Sequence, residues 1–220
     1  MFKISSRHVI ALFYAVILSS PMLVNASPKQ DPLAHTPEYK EAYARLDAKD
    51  YKGAINILQQ LLKKSEESAG LYYALGKALQ ELGDNKNALY NYDKSIEFDP
   101  RNPKAFSNRG LVYGATGNLK MAVADFTKAI AINPRFDHAY SNRGVARGAL
   151  GDMKGAIADF TKAISINPRF SSAWRNRGIT REMSGDLNGA CNDWHQAAKL
   201  GQSDVSGWVK DQCKGTLSRP

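Results

Sequence analysis

The string Ser107-Asn108-Arg109-Gly110 returns as Ser141-Asn142-Arg143-Gly144. With arginine first, it returns again as Arg175-Asn176-Arg177-Gly178. Each step is 34 residues. Ala-Asp-Phe-Thr-Lys-Ala-Ile spans 124–130 and recurs at 158–164, and Asn133-Pro134-Arg135-Phe136 matches Asn167-Pro168-Arg169-Phe170. So strict a period marks tandem units, which gain their core by stacking on one another.

The local chemistry of a unit predicts two helices. Ala122, Phe126 and Ala129 are spaced four and three, so they share one helix face. Small residues let two helices approach, and the aromatic fills the gap. Gly117 is suited to the left-handed conformation that ends a helix. Asn118, Asp152 or Asp186 follows the turn glycine and can cap the next helix. Asn133-Pro134 stops that helix, because a residue before proline avoids helical geometry.

The pattern resembles the tetratricopeptide repeat, strongly over about 69–203 and weakly over 37–68. The large–small pairs of the first helix are Tyr72 with Gly76, Phe106 with Gly110, Tyr140 with Gly144 and Trp174 with Gly178. The turn glycines are Gly83, Gly117, Gly151 and Gly185, and the closing prolines are Pro100, Pro134 and Pro168. In the second helix, Ala156, Phe160 and Ala163 fit, as do Ala190, Trp194 and Ala197; Ser95 replaces the last alanine of the unit holding Ala88 and Tyr92. The resemblance implies an all-α, right-handed superhelical solenoid of antiparallel helix pairs. Units are expected at 69–102, 103–136, 137–170 and 171–202, with a degenerate unit at 37–68, where Lys49 stands for the turn glycine.

The ends differ in character. Lys3 and Arg7 precede an apolar run of ten, Val9 to Leu18, and Val24-Asn25-Ala26 ends in a small residue. This predicts a cleaved signal peptide over 1–26, cut near Ala26. A bilayer span needs about 20 apolar residues, so an uncleaved anchor borrowing its flanks is the alternative. Residues 27–36 read as a linker. A capping helix is expected over about 203–214, with Val205, Val209, Gln212 and above all Trp208 covering the last unit, and 215–220 as a tail. The last full unit holds Cys191 and the cap Cys213. These helices should pack side by side, so a structural disulfide is expected, with two buried thiols as the alternative.

The composition is that of a folded chain, 43% hydrophobic and 23% charged, with formal net charge +9. Its Lys and Arg are scattered without a run, which argues against nucleic-acid binding. No catalytic constellation, phosphate loop, cofactor motif or metal-ligand spacing stands out, so no enzymatic activity, metal or cofactor is expected. Arg109, Arg143 and Arg177 occur only where Asp125, Asp159 and Asp193 also occur; the unit at 69–102 has Leu75 and Asn91 instead. The paired change predicts a partly exposed Arg–Asp bridge between the two helices of a unit.

The resemblance implies a concave groove lined by first helices. Some relatives hold a peptide backbone with a ladder of asparagines, which Asn108, Asn142 and Asn176 would supply here; solvated surface asparagines are the alternative. Lys104, His138 and Arg175 would add positive charge for an acidic or C-terminal carboxylate ligand. The expected function is a monomeric, non-enzymatic scaffold binding a protein or peptide in that groove. The alternative is an assembly factor or subunit of a membrane-associated complex, bound through another face. The repeats have a bacterial style, with a cyanobacterial leaning, so export would lead to the periplasm or to a thylakoid lumen.

Overall fold

The computed structural model describes residues 33–213. The expected signal segment, most of the linker and the C-terminal tail lie outside these residues. The described residues form eleven α-helices and a single 3-10 turn, with no strand among them. They run as five consecutive pairs: α1 (Pro37–Asp47) with α2 (Tyr51–Lys64), α3 (Ala69–Glu81) with α4 (Asn85–Phe98), α5 (Pro103–Ala115) with α6 (Leu119–Ile132), α7 (Asp137–Ala149) with α8 (Met153–Ile166), and α9 (Ser171–Met183) with α10 (Leu187–Lys199). A 3-10 turn, Ser203–Val205, leads into α11 (Ser206–Gln212). Each helix packs chiefly on its partner and then on the helix that follows. The first helices α3, α5, α7 and α9 also touch in succession. Contacts therefore run along the chain instead of into one central core.

Small residues set the spacing within a pair. A Cβ on Gly110 would lie 2.9 Å from Cε1 of Phe126, and one on Gly144 would lie 2.9 Å from Cε1 of Phe160. The buried Phe126 then reaches past its own pair to Ala146 of the next. Ser95 occupies the small-residue position of α4, is fully buried, and has no hydrogen-bond partner for its hydroxyl among the described residues.

The turns follow the sequence with one exception. Gly83, Gly117, Gly151 and Gly185 all have φ between 78° and 86°, and Lys49 takes 61° in their place. Asp152 and Asp186 accept the backbone N–H groups of Gly155 and Gly189. Asn118 makes no such cap; its Nδ2 turns back to donate to Thr116 Oγ1 at 3.1 Å. A threonine immediately before the turn glycine offers it a nearer partner.

The arginines form the bridges, more deeply than their surface reading implied. Arg109 donates Nε and Nη2 to the two oxygens of Asp125, Arg143 does so to Asp159, and Arg177 to Asp193. All three aspartates are buried, not partly exposed. Each arginine also reaches back to the second helix of the preceding pair: Arg109 to Asp93, Arg143 to Thr127 and Arg177 to Thr161. The fork geometry of guanidinium thus joins three helices at once.

The last pair is covered by the segment after Gly201. Val205, not Trp208, is its deepest residue and is fully buried; Trp208 lies over Trp194 with ring centroids 5.3 Å apart. Valine enters because the segment begins as a 3-10 turn, which aims residue 205 inward. Cys191 and Cys213 form a disulfide that ties the end of α11 to α10. At the other end, the turn at Leu33–Thr36 packs Leu33 on the first core cluster and caps α1 through Thr36.

Candidate functional site

The first helices place Asn108, Asn142 and Asn176 at one repeated position on α5, α7 and α9, each partly buried. Their amides are not equivalent. Asn108 Nδ2 donates to the Tyr73 hydroxyl at 3.1 Å, across the boundary with the preceding pair. Beside it, the Tyr92 hydroxyl donates to Gln80 Oε1 at 2.7 Å. Burial raises the pKa of Tyr73 and of Tyr92, against the contribution of Asn108, so both hydroxyls stay protonated. Asn176 Oδ1 accepts from Arg175 Nη1 at 3.1 Å. The amide of Asn142 has no hydrogen-bond partner among the described residues, which leaves both its donor and its acceptor unengaged.

The three cationic candidates are also unlike one another. Lys104 is exposed in the first turn of α5. His138 is exposed, with Nδ1 2.9 Å from Asp137 Oδ1 and its ring centroid 4.6 Å from that of Phe170. Burial works to raise the Asp137 carboxyl. Hydrogen bonds from Asn167 and His138 outweigh it and hold the group below the usual carboxylate range. Arg175 is engaged by the covering segment: Nε donates to Asp204 Oδ2 at 2.5 Å, and the guanidinium lies 5.3 Å from the Trp208 ring centre.

One further row runs along the same helices, which the reading of asparagines and charges missed. Leu111, Val145 and Ile179 each follow the packing glycine of a first helix. Leu111 and Val145 are exposed. Between α7 and α9 the surface sinks into a hollow of about 280 Å³, walled by Gly144, Val145, Gly148, Phe160, Ile179 and Met183, with Asn176 at its margin. The hollow exists because Gly148 supplies no side chain and Met183 stands out from α9 with 65% exposure. The signal was present as an aliphatic residue directly after Gly110, Gly144 and Gly178.

No group of three or more His, Cys, Asp or Glu residues that could hold a metal ion occurs among the described residues. No helix among them is long and apolar enough to cross a membrane.

Three family models match the chain. One described as TPR repeat covers 78–117; two described as Tetratricopeptide repeat cover 103–136 with 138–170, and 38–68. Solved structures share the fold. A crystal structure of MamA is 23% identical with TM-score 0.68, covering 74% of this chain and 96% of that one. MamA from Desulfovibrio magneticus RS-1 is 21% identical with TM-score 0.69, covering 77% and 96%. YrrB, described as a TPR protein with an unusual peptide-binding site, is 18% identical with TM-score 0.65, covering 77% and 88%. Among curated proteins, the photosystem I assembly protein Ycf3 of Prochlorococcus marinus is 29% identical over 86 residues. That match takes in 36% of this chain, which spans about half of the relative, 47% of its length.

Proposed function

The chain belongs to the tetratricopeptide repeat family, and from that premise we propose that it is a non-enzymatic scaffold holding an extended peptide segment of a partner protein against α5, α7 and α9. The observation that carries this reading is the pair of parallel rows on those helices. Asn108, Asn142 and Asn176 offer amides that pair with any peptide backbone, and Leu111, Val145 and Ile179 offer apolar contacts beside them. Main-chain pairing supplies affinity and the hollow next to Asn176 supplies side-chain preference. The peptide-binding relative YrrB supports the class of ligand.

A second reading, an assembly factor held through another face in a membrane-associated complex, draws on the curated relative that is a photosystem I assembly protein. We place the protein in the periplasm or a thylakoid lumen. Support comes from the Lys3–Ala26 pattern and from the Cys191–Cys213 bridge, which suits an oxidising compartment.

The test uses residues 27–220 as bait in the native envelope fraction, with two variants. Asn108→Ala, Asn142→Ala and Asn176→Ala are combined in one; Lys128→Glu and Lys162→Glu, exposed on second helices, are combined in the other. The peptide reading expects the retained protein to be lost with the asparagine variant and kept with the lysine variant. The opposite pattern rejects it in favour of the second reading.

A further inference from the structure

All three tryptophans of the chain, Trp174, Trp194 and Trp208, meet in the cluster that closes the last pair. Ile179, from the wall of the hollow, packs against the same cluster. The covering segment and the proposed binding face therefore pack on one shared cluster.

Arg175 occupies the position that Ser107 and Ser141 hold in earlier units. Those serines are buried, whereas Arg175 reaches outward to a carboxylate on the covering segment. Its guanidinium bridges Asp204 and the amide of Asn176, so an acidic side chain of the chain itself sits where the asparagine row ends. Gln202, just before the segment, accepts from Ser171 Oγ at 3.3 Å.

A short set of contacts holds that segment in place. None of the seven residues of α11 is buried, and a helix of that length is not stable alone. The anchors are Val205, the packing of Trp208 and Val209 on the last core cluster, and the disulfide through Cys213. Of these only the disulfide is covalent, and it secures the far end of the segment.

We propose that Ser203–Cys213 is a redox-released cover over a carboxylate-binding position formed by Arg175 and Asn176, with Asp204 standing in for the ligand's carboxylate. This rests on the reading of the first helices as the binding face. Reduction is a thiol–disulfide exchange with a dithiol reductant. A reductant thiolate attacks Cys213 Sγ, in a residue 4% exposed against 0% for Cys191, and Cys191 leaves as a thiolate that takes up a proton. The reductant's second thiolate then displaces Cys213, which is likewise protonated. Two electrons pass to the protein, and the reductant ends as a disulfide. Once untied, the segment leaves, and Arg175 pairs with an incoming carboxylate while Asn176 pairs with the adjoining peptide group.

Phenylglyoxal, which modifies accessible guanidinium groups, tests the cover directly, with mass spectrometry reading Arg175 in residues 27–220. Reduction, or Cys191→Ser with Cys213→Ser, is expected to raise the modification rate of Arg175 and amide exchange across 203–213 by roughly tenfold or more. Exchange in α7 should stay unchanged. Asp204→Asn, at an exposed site, should raise Arg175 modification with the disulfide intact. Equal rates in both redox states would overturn the proposal whatever the asparagine variant does. A second arm uses a fluorescein-labelled alanine–glycine hexapeptide with a free α-carboxylate, the same peptide amidated, and an amidated version with one aspartate. Tighter binding of either carboxylate form to reduced protein supports the site and identifies its source. A released cover with no preference over the amide removes the carboxylate position, while the asparagine variant separately judges the binding face.

Discussion

Replacing Asp125 by asparagine would leave the Arg109 guanidinium with an uncharged partner able to accept from only one atom. In the native chain Asp125 is 5% exposed and takes two bonds, from Nε at 2.8 Å and Nη2 at 2.7 Å. Breaking a fully buried pair costs about 3–5 kcal/mol. Arg109 keeps Asp93 on its outer side and stacks near Phe106 and Tyr113, so the cost should fall at or just below the lower end of that range, about 2–3 kcal/mol. The chain contains its own control, because the preceding unit holds Leu75 and Asn91 in these places, both buried, with Asn91 Nδ2 donating to Asn87 O at 2.7 Å. The double variant Arg109→Leu, Asp125→Asn copies that solution and should return to within about 1 kcal/mol of the native chain, since replacing a whole buried pair is often neutral. Asp93→Ala, at a site 55% exposed, should cost no more than about 1 kcal/mol. Urea unfolding followed by circular dichroism reads all four chains; tryptophan emission would report only the last pair. A double variant as unstable as Asp125→Asn alone would refute the argument, as would a single variant that costs under about 0.5 kcal/mol.

Other outcomes follow from the same packing. Ser95→Ala removes a buried hydroxyl without a partner and should stabilise the chain by about 1 kcal/mol in the same urea assay. Gly144→Ala drives a methyl to 2.9 Å from the Phe160 ring and should cost about 1–3 kcal/mol. Gly148→Ala meets only the Ala156 methyl, at 3.8 Å, and should gain about 0.5–1 kcal/mol from helix propensity, so thermal melts of the two should move in opposite directions. The Arg175 hydrogen bond lowers the Asp204 pKa. The contact therefore contributes fully above the unfolded carboxylate value of about 3.9 and is lost as pH falls through the lower folded value. Tryptophan emission of the oxidised chain should change in that acid window, and Asp204→Asn should remove the step.

The helix pairs could be read from sequence because their determinants are local. A glycine opposite an aromatic, a glycine at positive φ and a proline after the helix each act within a few residues and recur at a fixed step. The Arg–Asp bridge was legible because Leu75 and Asn91 depart together inside one chain. Its burial was not, since that depends on how closely neighbouring helices pack around Asp125, Asp159 and Asp193. Asn118 misled because its competitor, Thr116, lies outside the capping pattern. Trp208 misled because size suggested depth, while the 3-10 start of the segment turned Val205 inward. The hollow was hidden by its own cause: it is made by the side chain Gly148 lacks, and only the neighbouring helix turns that lack into a space.

Neighbouring units also explain why three identical asparagines are not three identical sites. Upstream, Tyr73 has engaged Asn108 before any ligand arrives, so a peptide must displace a hydroxyl to use that amide fully. Downstream, Arg175 holds the Asn176 oxygen while Asp204 holds Arg175. Asn142 lies between them with neither cost. A hydrogen bond that replaces another contributes less than one made by a group with no internal partner, and a typical net contribution is about 0.5–1.5 kcal/mol. The ladder should therefore be energetically uneven, strongest at its centre and bounded at both ends by the chain's own side chains. That ordering follows from the partners of each amide and not from the repeat itself, which by symmetry would make all three alike.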